Sequence, residues 1–387
     1  MRTVTTTERR RRLARRHALA PEHRVQRVEA AAEQMVCLHA TDPSTIALSA
    51  WVRVEGFQAS DLERALYTDR TLVKHLAMRR TLFVFPRATL AGAHAGASLR
   101  VAEQERKRLI GDVERSELAA DGEAWLQASS AEILAHLAGG QQRTARELRA
   151  ELPVLQAKII AGSGKWATEM SVGPRLLTVL GASGQVVRGT NDGGWHVSRP
   201  RWSSMEAWLG EPLAAHSVGE GVTGLVERWL RAFGPGSTND IKWWLGGTVK
   251  ATKQALADLA AVEVSLEGGG TGWLLPDDLE PEPAVEPWGA LLPSLDPTTM
   301  GWKERDWYLG DYKAQLFDYA GNAGPTIWWD GRIVGGWRQD ADGVVELQWL
   351  EDVGSDARAA LEADAARLTE WFGGLRVMLR FPSPLSK

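Results

Sequence analysis

A single cysteine, Cys37, in 387 residues leaves no partner for an internal disulfide and no thiolate set for a zinc site. No apolar run approaches the roughly 20 residues that a membrane-spanning helix needs, so no membrane partner is expected. The N-terminus is basic but lacks the apolar stretch of a secretory signal, which leads us to expect a cytoplasmic protein. The chain has no phosphate-loop motif, no dinucleotide fingerprint and no metal-ligand spacing, so neither cofactor nor metal is expected. His75, His94, His136, His196 and His216 are too scattered to suggest a metal site, and the run Gly268-Gly269-Gly270-Thr271-Gly272 reads as a turn rather than a phosphate cradle. A net charge of −4 excludes a histone-like coating protein, yet leaves room for a local basic face.

What the chain does have is a repeated pattern. The length predicts about two to four domains. Over 129–202, helices are expected to open at Ser130-Ala131-Glu132 and at Thr144-Ala145-Arg146-Glu147, with a third at 175–180. Two strands then follow, 185–189 and Trp195-His196-Val197, around the turn Asn191-Asp192-Gly193-Gly194. Over 221–276 the pattern recurs: helices at 225–233, 237–244 and 249–259, then strands at 262–266 and 273–275 around Gly268-Gly269-Gly270. Three helices closed by a hairpin are the winged-helix layout, whose usual ligand is duplex nucleic acid, although wings also serve protein–protein contacts.

The N-terminal region reads as mainly helical. Helices are predicted over 25–38, from Ser44 to about Val54 with Pro43 in the first turn, and over 61–67 with Ser60 as cap and Glu63 as its partner. A strand is predicted from Arg79-Arg80-Thr81 to Pro86. The run Arg9-Arg10-Arg11-Arg12, Arg15-Arg16-His17 reads equally well as a phosphate-reaching helix or a solvated one. Pro276, Pro281, Pro283 and Pro287 stand among acidic residues and mark a linker. Beyond it strands are expected at 326–329 and 332–337 around an Asp330-Gly331 turn, at 344–350 and at 375–379, with a helix over 355–372. The fold class is therefore α+β, with tandem winged helices followed by a small β-rich, barrel-like C-terminal domain. The expected divisions are 1–125, 126–205, 206–280 and 281–387.

Several stretches then match one family. Leu38-His39-Ala40-Thr41-Asp42-Pro43, Arg79-Arg80-Thr81-Leu82, Phe233-Gly234-Pro235 through Asp240-Ile241-Lys242-Trp243-Trp244, and Leu291-Leu292-Pro293-Ser294-Leu295-Asp296-Pro297 with Gly301-Trp302-Lys303 span most of the chain. Together they resemble the winged-helix DNA glycosylases, the family of the azinomycin-resistance and crosslink-unhooking enzymes. The resemblance implies a monofunctional glycosylase that excises alkylated (N7-purine) or crosslinked bases by water attack at the sugar C1′. It implies damaged double-stranded DNA as partner, a monomer, and nucleoid association when bound. In the family pattern a Gln, an apolar residue, then Gln or Asp position the water and steady charge on the sugar. Here those positions hold His39 and Thr41.

A neutral His39 can accept a proton from water, Thr41 can hold that water, and Asp42 can supply the missing carboxylate. The competing roles are ordinary: His39 capping helix carbonyls, and Thr41 or Asp42 capping the helix that starts at Pro43. Arg79, Arg80, Thr81, Lys242, Lys303, Arg305 and the wing residue His196 are the expected DNA contacts. Trp243 and Trp244 are expected in the core. The alternatives to a glycosylase are a non-catalytic winged-helix DNA-binding protein or regulator, and a protein–protein scaffold.

Overall fold

Short polar residues begin most of the helices. Thr144 and Ser237 each accept the backbone N–H three residues on, and Glu147 and Asp240 return the bond to the capping residue's own N–H. The computed structural model describes residues 1–162 and 167–387. Within them the chain is α+β, with five small sheets of at most four strands. No helix among the described residues is long and apolar enough to cross a membrane.

The N-terminal part builds a three-stranded sheet. Strand Thr81–Pro86 is central, flanked by Leu38–His39 on one side and Leu72–Ala77 on the other, both antiparallel to it. Register sets His39 and His75 both opposite Phe83. The helix predicted over 25–38 shortens to Val28–Gln34, and the chain then turns into the sheet through Val36 at φ +66°. Helix Pro43–Arg53 forms as expected. The helix at Ala59–Glu63 is capped by Gln58 with Asp61, not by Ser60 with Glu63. Arg79 and Arg80 do not begin a strand. Both occupy left-handed backbone (φ +55° and +60°) in the tight turn from Leu72–Ala77 to Thr81–Pro86.

The first repeated segment has helices Gly122–His136, Ala145–Glu151 and Gly173–Ala182, with strands Arg143–Thr144, Val186–Asn191 and Pro200–Ser204 in one sheet. Its first helix starts at the Asp121 cap rather than at Ser130. An unforeseen hairpin, Lys158–Ala161 with Thr168–Ser171, separates the second and third helices. Trp195-His196-Val197 is a loop, not a strand. The Asn191 amide donates to the carbonyls of Gly193, Gly194 and Val197 and closes the chain on itself, so pairing resumes only at Pro200.

The second repeat follows the predicted pattern closely: helices Val218–Phe233, Thr238–Leu245 and Val249–Asp258, then strands Val262–Leu266 and Thr271–Leu274. The N-terminal strand Thr3–Val4 adds to its edge in parallel. At the C-terminal end, strands Gly289–Leu292, Thr326–Trp329, Arg332–Gln339 and Val345–Trp349 form an open four-stranded sheet, not a barrel. Its face is covered by helix Ser355–Phe372, through Leu361, Ala365, Leu368 and Phe372. Asp330 and Gly331 both have positive φ, as a two-residue hairpin turn of this twist demands. The strand expected at 375–379 is irregular chain. The Gln339 side chain takes its bonds instead, donating to Leu375 O and accepting from Val377 N–H.

Two glycines allow a close backbone crossing in the core. Gly221, on helix Val218–Phe233, meets Gly96 in the π-helical turn His94–Ser98, and a Cβ on Gly221 would lie 2.5 Å from Gly96 N. Gly224, on the same helix, has open space. Gly221→Ala should therefore lower the thermal midpoint, at a cost of about 1–3 kcal/mol or more from overpacking. Gly224→Ala should leave it unchanged or raise it, since alanine favours helix. Paired melting curves check this.

Candidate nucleic-acid interface and active site

Asp42 is the N-cap of helix Pro43–Arg53. Its Oδ1 accepts from Ser44 N–H and Ser44 Oγ, and its Oδ2 from the Arg380 N–H. Fully buried and engaged at both oxygens, Asp42 supplies no free carboxylate, which corrects that expectation. Because Asp42 takes the cap, Thr41 does not. Thr41 Oγ1 is buried without a hydrogen-bond partner, beside His39. A buried hydroxyl left free is uncommon, and here it lies in the motif itself.

His39 sits at the end of its strand with its ring edge-on to Phe83, centroids 5.2 Å apart. Burial, then the charge of Arg79, push its pKa down to about 3, with Asp296 opposing. The imidazole is neutral at physiological pH and a poor base. The Thr41 N–H donates to His39 Nδ1 at 3.4 Å, which puts the ring proton on Nε2. The free edge of the ring is thus a donor. The expectation that His39 takes a proton from water fails on both counts. A neutral imidazole of this kind offers one donor and one acceptor, as a glutamine amide does.

Two of the expected DNA contacts gather around Trp243, which half-emerges from helix Thr238–Leu245. Arg79 lies over its ring at 3.9 Å and Arg305 approaches it at 5.3 Å, Arg305 also covering Phe317 at 4.9 Å. Lys242 is the preceding residue, half-buried. Arg79 and Arg305 are largely enclosed, and neither forms an ion pair among the described residues. Burial and the neighbouring Arg305 lower the Arg79 pKa to about 10, leaving it charged at pH 7. Two guanidinium groups without a counter-charge, stacked about one indole, make a site for an anion. Trp243 was expected only as core; its neighbour Trp244 is buried as expected.

The family description "DNA glycosylase AlkZ-like" matches residues 32–371. The chain belongs to the AlkZ-like DNA glycosylase family. Its fold is similar to that of the DNA glycosylase AlkZ of Streptomyces sahachiroi, with a TM-score of 0.74, 18% identity, and coverage of 98% of this chain and 100% of that one. No curated protein gives a match.

In this AlkZ-like chain the other expected contacts disperse. Arg80 turns to Glu105 at 3.4 Å, and Thr81 opens its strand half-buried. Lys303 is exposed, its N–H held by Asp240 Oδ1. His196 follows Trp195, which packs on Trp371 and Phe372 of the C-terminal helix, so this loop is anchored rather than projecting. The basic helix Thr6–Arg16 is mostly engaged within the protein: Arg12 and Arg16 bind Asp278, Arg15 and Arg16 bind Glu282, and Arg9 covers Trp307. The phosphate-reaching reading of those residues is corrected accordingly. His75 and His94, far apart in sequence, meet at 3.2 Å.

Three buried histidines share one titration behaviour. Burial is the main cause in each of His17, His39 and His75, and each pKa falls to about 3. In the unfolded chain they take up protons near pH 6.5. Their contribution to stability is therefore complete above about pH 6.5 and is lost as pH falls from there toward 3. Thermal midpoints measured from pH 7.5 to 4.5 should fall on the acid side, and His17→Gln should make that fall shallower.

Proposed function

We propose that this protein is a monofunctional DNA glycosylase that excises alkylated purines, including N7-alkylated and crosslinked bases, from duplex DNA. The observation that carries the reading is the convergence of the His39–Thr41 motif with the unpaired arginines Arg79 and Arg305 about Trp243, in a chain of this family. The repeated three-helix-and-hairpin segments fit winged-helix units that hold the duplex. Tandem arginines stacked on an aromatic suit a backbone phosphate beside the lesion.

Alkylation at N7 makes the base cationic, so the C1′–N9 bond breaks with its electron pair going to the base, which leaves neutral. No proton donor to the base is required. His39 Nε2–H and the free Thr41 Oγ1 offer one donor and one acceptor to a water molecule, leaving a lone pair to form the C1′–O bond. The displaced water proton is taken up by bulk water, with the threonine hydroxyl accepting a hydrogen bond from the attacking water and relaying no proton itself. His39 in this role orients water instead of ionising it, which is how a histidine serves where the family pattern has glutamine. Positioning of this kind is worth on the order of 10²-fold in rate.

Release of N7-methylguanine and unhooking of a nitrogen-mustard crosslink test the reading. Wild type should release both, His39→Ala should lose about 100-fold, and His39→Gln should keep most of the activity. The rate should be flat from pH 5.5 to 8, because a group with a pKa of about 3 does not titrate there. A rate that rises through pH 6.5 would show a histidine general base instead. Duplex binding without any base release would favour a non-catalytic DNA-binding protein.

A further inference from the structure

Between the short helix Lys313–Leu316 and strand Thr326–Trp329 the chain makes a tight loop shaped by one carboxylate. Asp318 Oδ1 accepts from the Ala320 and Asn322 N–H groups, at 2.9 and 2.8 Å, and Oδ2 accepts from Asn322 Nδ2 at 2.9 Å. The Asp318 N–H donates to Asn322 O, and the turn passes through Gly321 at φ +85°, which suits glycine. Below it Phe317 and Ala323 pair as an antiparallel bridge. The loop is thus fixed before anything binds to it. At its tip stands Tyr319, fully exposed; no other Phe, Tyr or Trp among the described residues is exposed.

The base of this loop touches both parts of the site. On one side Arg305 covers the Phe317 ring at 4.9 Å and approaches Trp243 at 5.3 Å, where Arg79 also lies. On the other side Ala323 O accepts from the Leu295 N–H and from Ser294 Oγ, each at 3.0 Å, and Ser294 O accepts from Thr45 Oγ1 at 2.7 Å. Thr45 is in the first turn of helix Pro43–Arg53, whose cap directly follows Thr41. The residues beside Tyr319 are Asp318, Ala320, Gly321 and Asn322, all small or polar. The tip therefore presents one ring and no apolar patch, which fits the face of a base rather than a protein surface.

We propose that Tyr319 enters the base stack beside the lesion and stacks on the neighbouring base, while Arg79 and Arg305 hold an adjacent phosphate. This rests on the reading of the protein as a DNA glycosylase. Opening the duplex at a lesion costs the stacking of that step, and an inserted side chain offsets the loss. A tyrosine on a fixed turn does so with little ordering of its own, because it has only two side-chain torsions to settle. The opened nucleotide is then kept from closing back while it lies at the motif.

Binding of the full chain to a short duplex that carries a tetrahydrofuran abasic analogue, with 2-aminopurine as the adjacent base, tests this. Anisotropy gives the affinity, and 2-aminopurine fluorescence reports how that base is stacked. Wild type should change the fluorescence on binding. Tyr319→Ala should bind about 10-fold more weakly and leave the fluorescence near that of the free duplex. Its thermal midpoint and salt slope should be unchanged, since the side chain is exposed and carries no charge. Tyr319→Phe should behave as wild type, because the ring does the stacking. If Tyr319→Ala matches wild type in affinity and fluorescence while wild type releases N7-methylguanine, the wedge is wrong and the glycosylase reading stands. If Tyr319→Phe loses as much as Tyr319→Ala, the hydroxyl makes the contact and the wedge is again wrong. If wild type neither binds the duplex nor releases base, both fail.

Discussion

The arrangement of this protein depends on one ion pair between Arg53 and Asp296. Both side chains are fully enclosed, and the contact is bidentate, Nη1 to Oδ2 at 2.8 Å and Nη2 to Oδ1 at 2.7 Å. Ser49 Oγ and the Thr298 N–H complete the carboxylate, and Arg53 also reaches Ser49 O and Thr298 Oγ1. Thr298 in turn meets His17, whose other nitrogen meets Ala232 O. Because Thr298 Oγ1 accepts from Arg53, its hydroxyl proton is free for His17 Nδ1. Three distant parts of the chain thus share one polar network in which nearly every atom has a partner. Leaving either ion alone would cost about 3–5 kcal/mol, which fixes the network as a unit. Helix Pro43–Arg53 is clamped at its far end by this pair and along its length by Thr45 Oγ1 to Ser294 O. The His39–Thr41 motif at its near end is held by a rigid rod.

Charge is disposed in two ways on this framework. Where arginine meets carboxylate, as in Arg12 and Arg16 with Asp278, the role is assembly, and the linker 276–287 lies against the basic helix through those contacts. Where arginine meets only aromatic rings, as in Arg79 and Arg305 at Trp243, the charge stays available. The same residue type is therefore neutralised or left without a counter-charge according to what faces it. A net charge of −4 and a local cluster of unpaired arginines are compatible for this reason.

Periodicity and turn chemistry made much of the fold legible. The second repeat, the Asp330-Gly331 hairpin and the helix Ser355–Phe372 follow from local signals that tertiary structure leaves alone. Reading failed where a side chain replaced the backbone as hydrogen-bond partner: Asn191 turned an expected strand into a loop, and Gln339 did the same at 375–379. At the site, the motif residues were visible by resemblance, but their roles were not. The burial that keeps His39 neutral and the cap that occupies Asp42 exist only in three dimensions. The stacking of Arg79 and Arg305 about Trp243 was missed because an indole in an apolar run carries no mark of which cation will lie on it.

The pairing of the basic helix with Asp278 and Glu282 also bears on how the molecule is made. The helix is synthesised well before the carboxylates that neutralise it, which lie more than two-thirds of the chain away. The same holds for Thr3–Val4, whose strand partner is Val262–Leu266. Contacts of such separation carry a high loop-closure cost and form late. Through much of synthesis the nascent chain thus carries an uncompensated cluster of arginines, in a cell rich in polyanions. Docking of the linker then neutralises Arg12, Arg15 and Arg16, so folding turns part of a non-selective polycation into internal contacts that hold the linker against the helix.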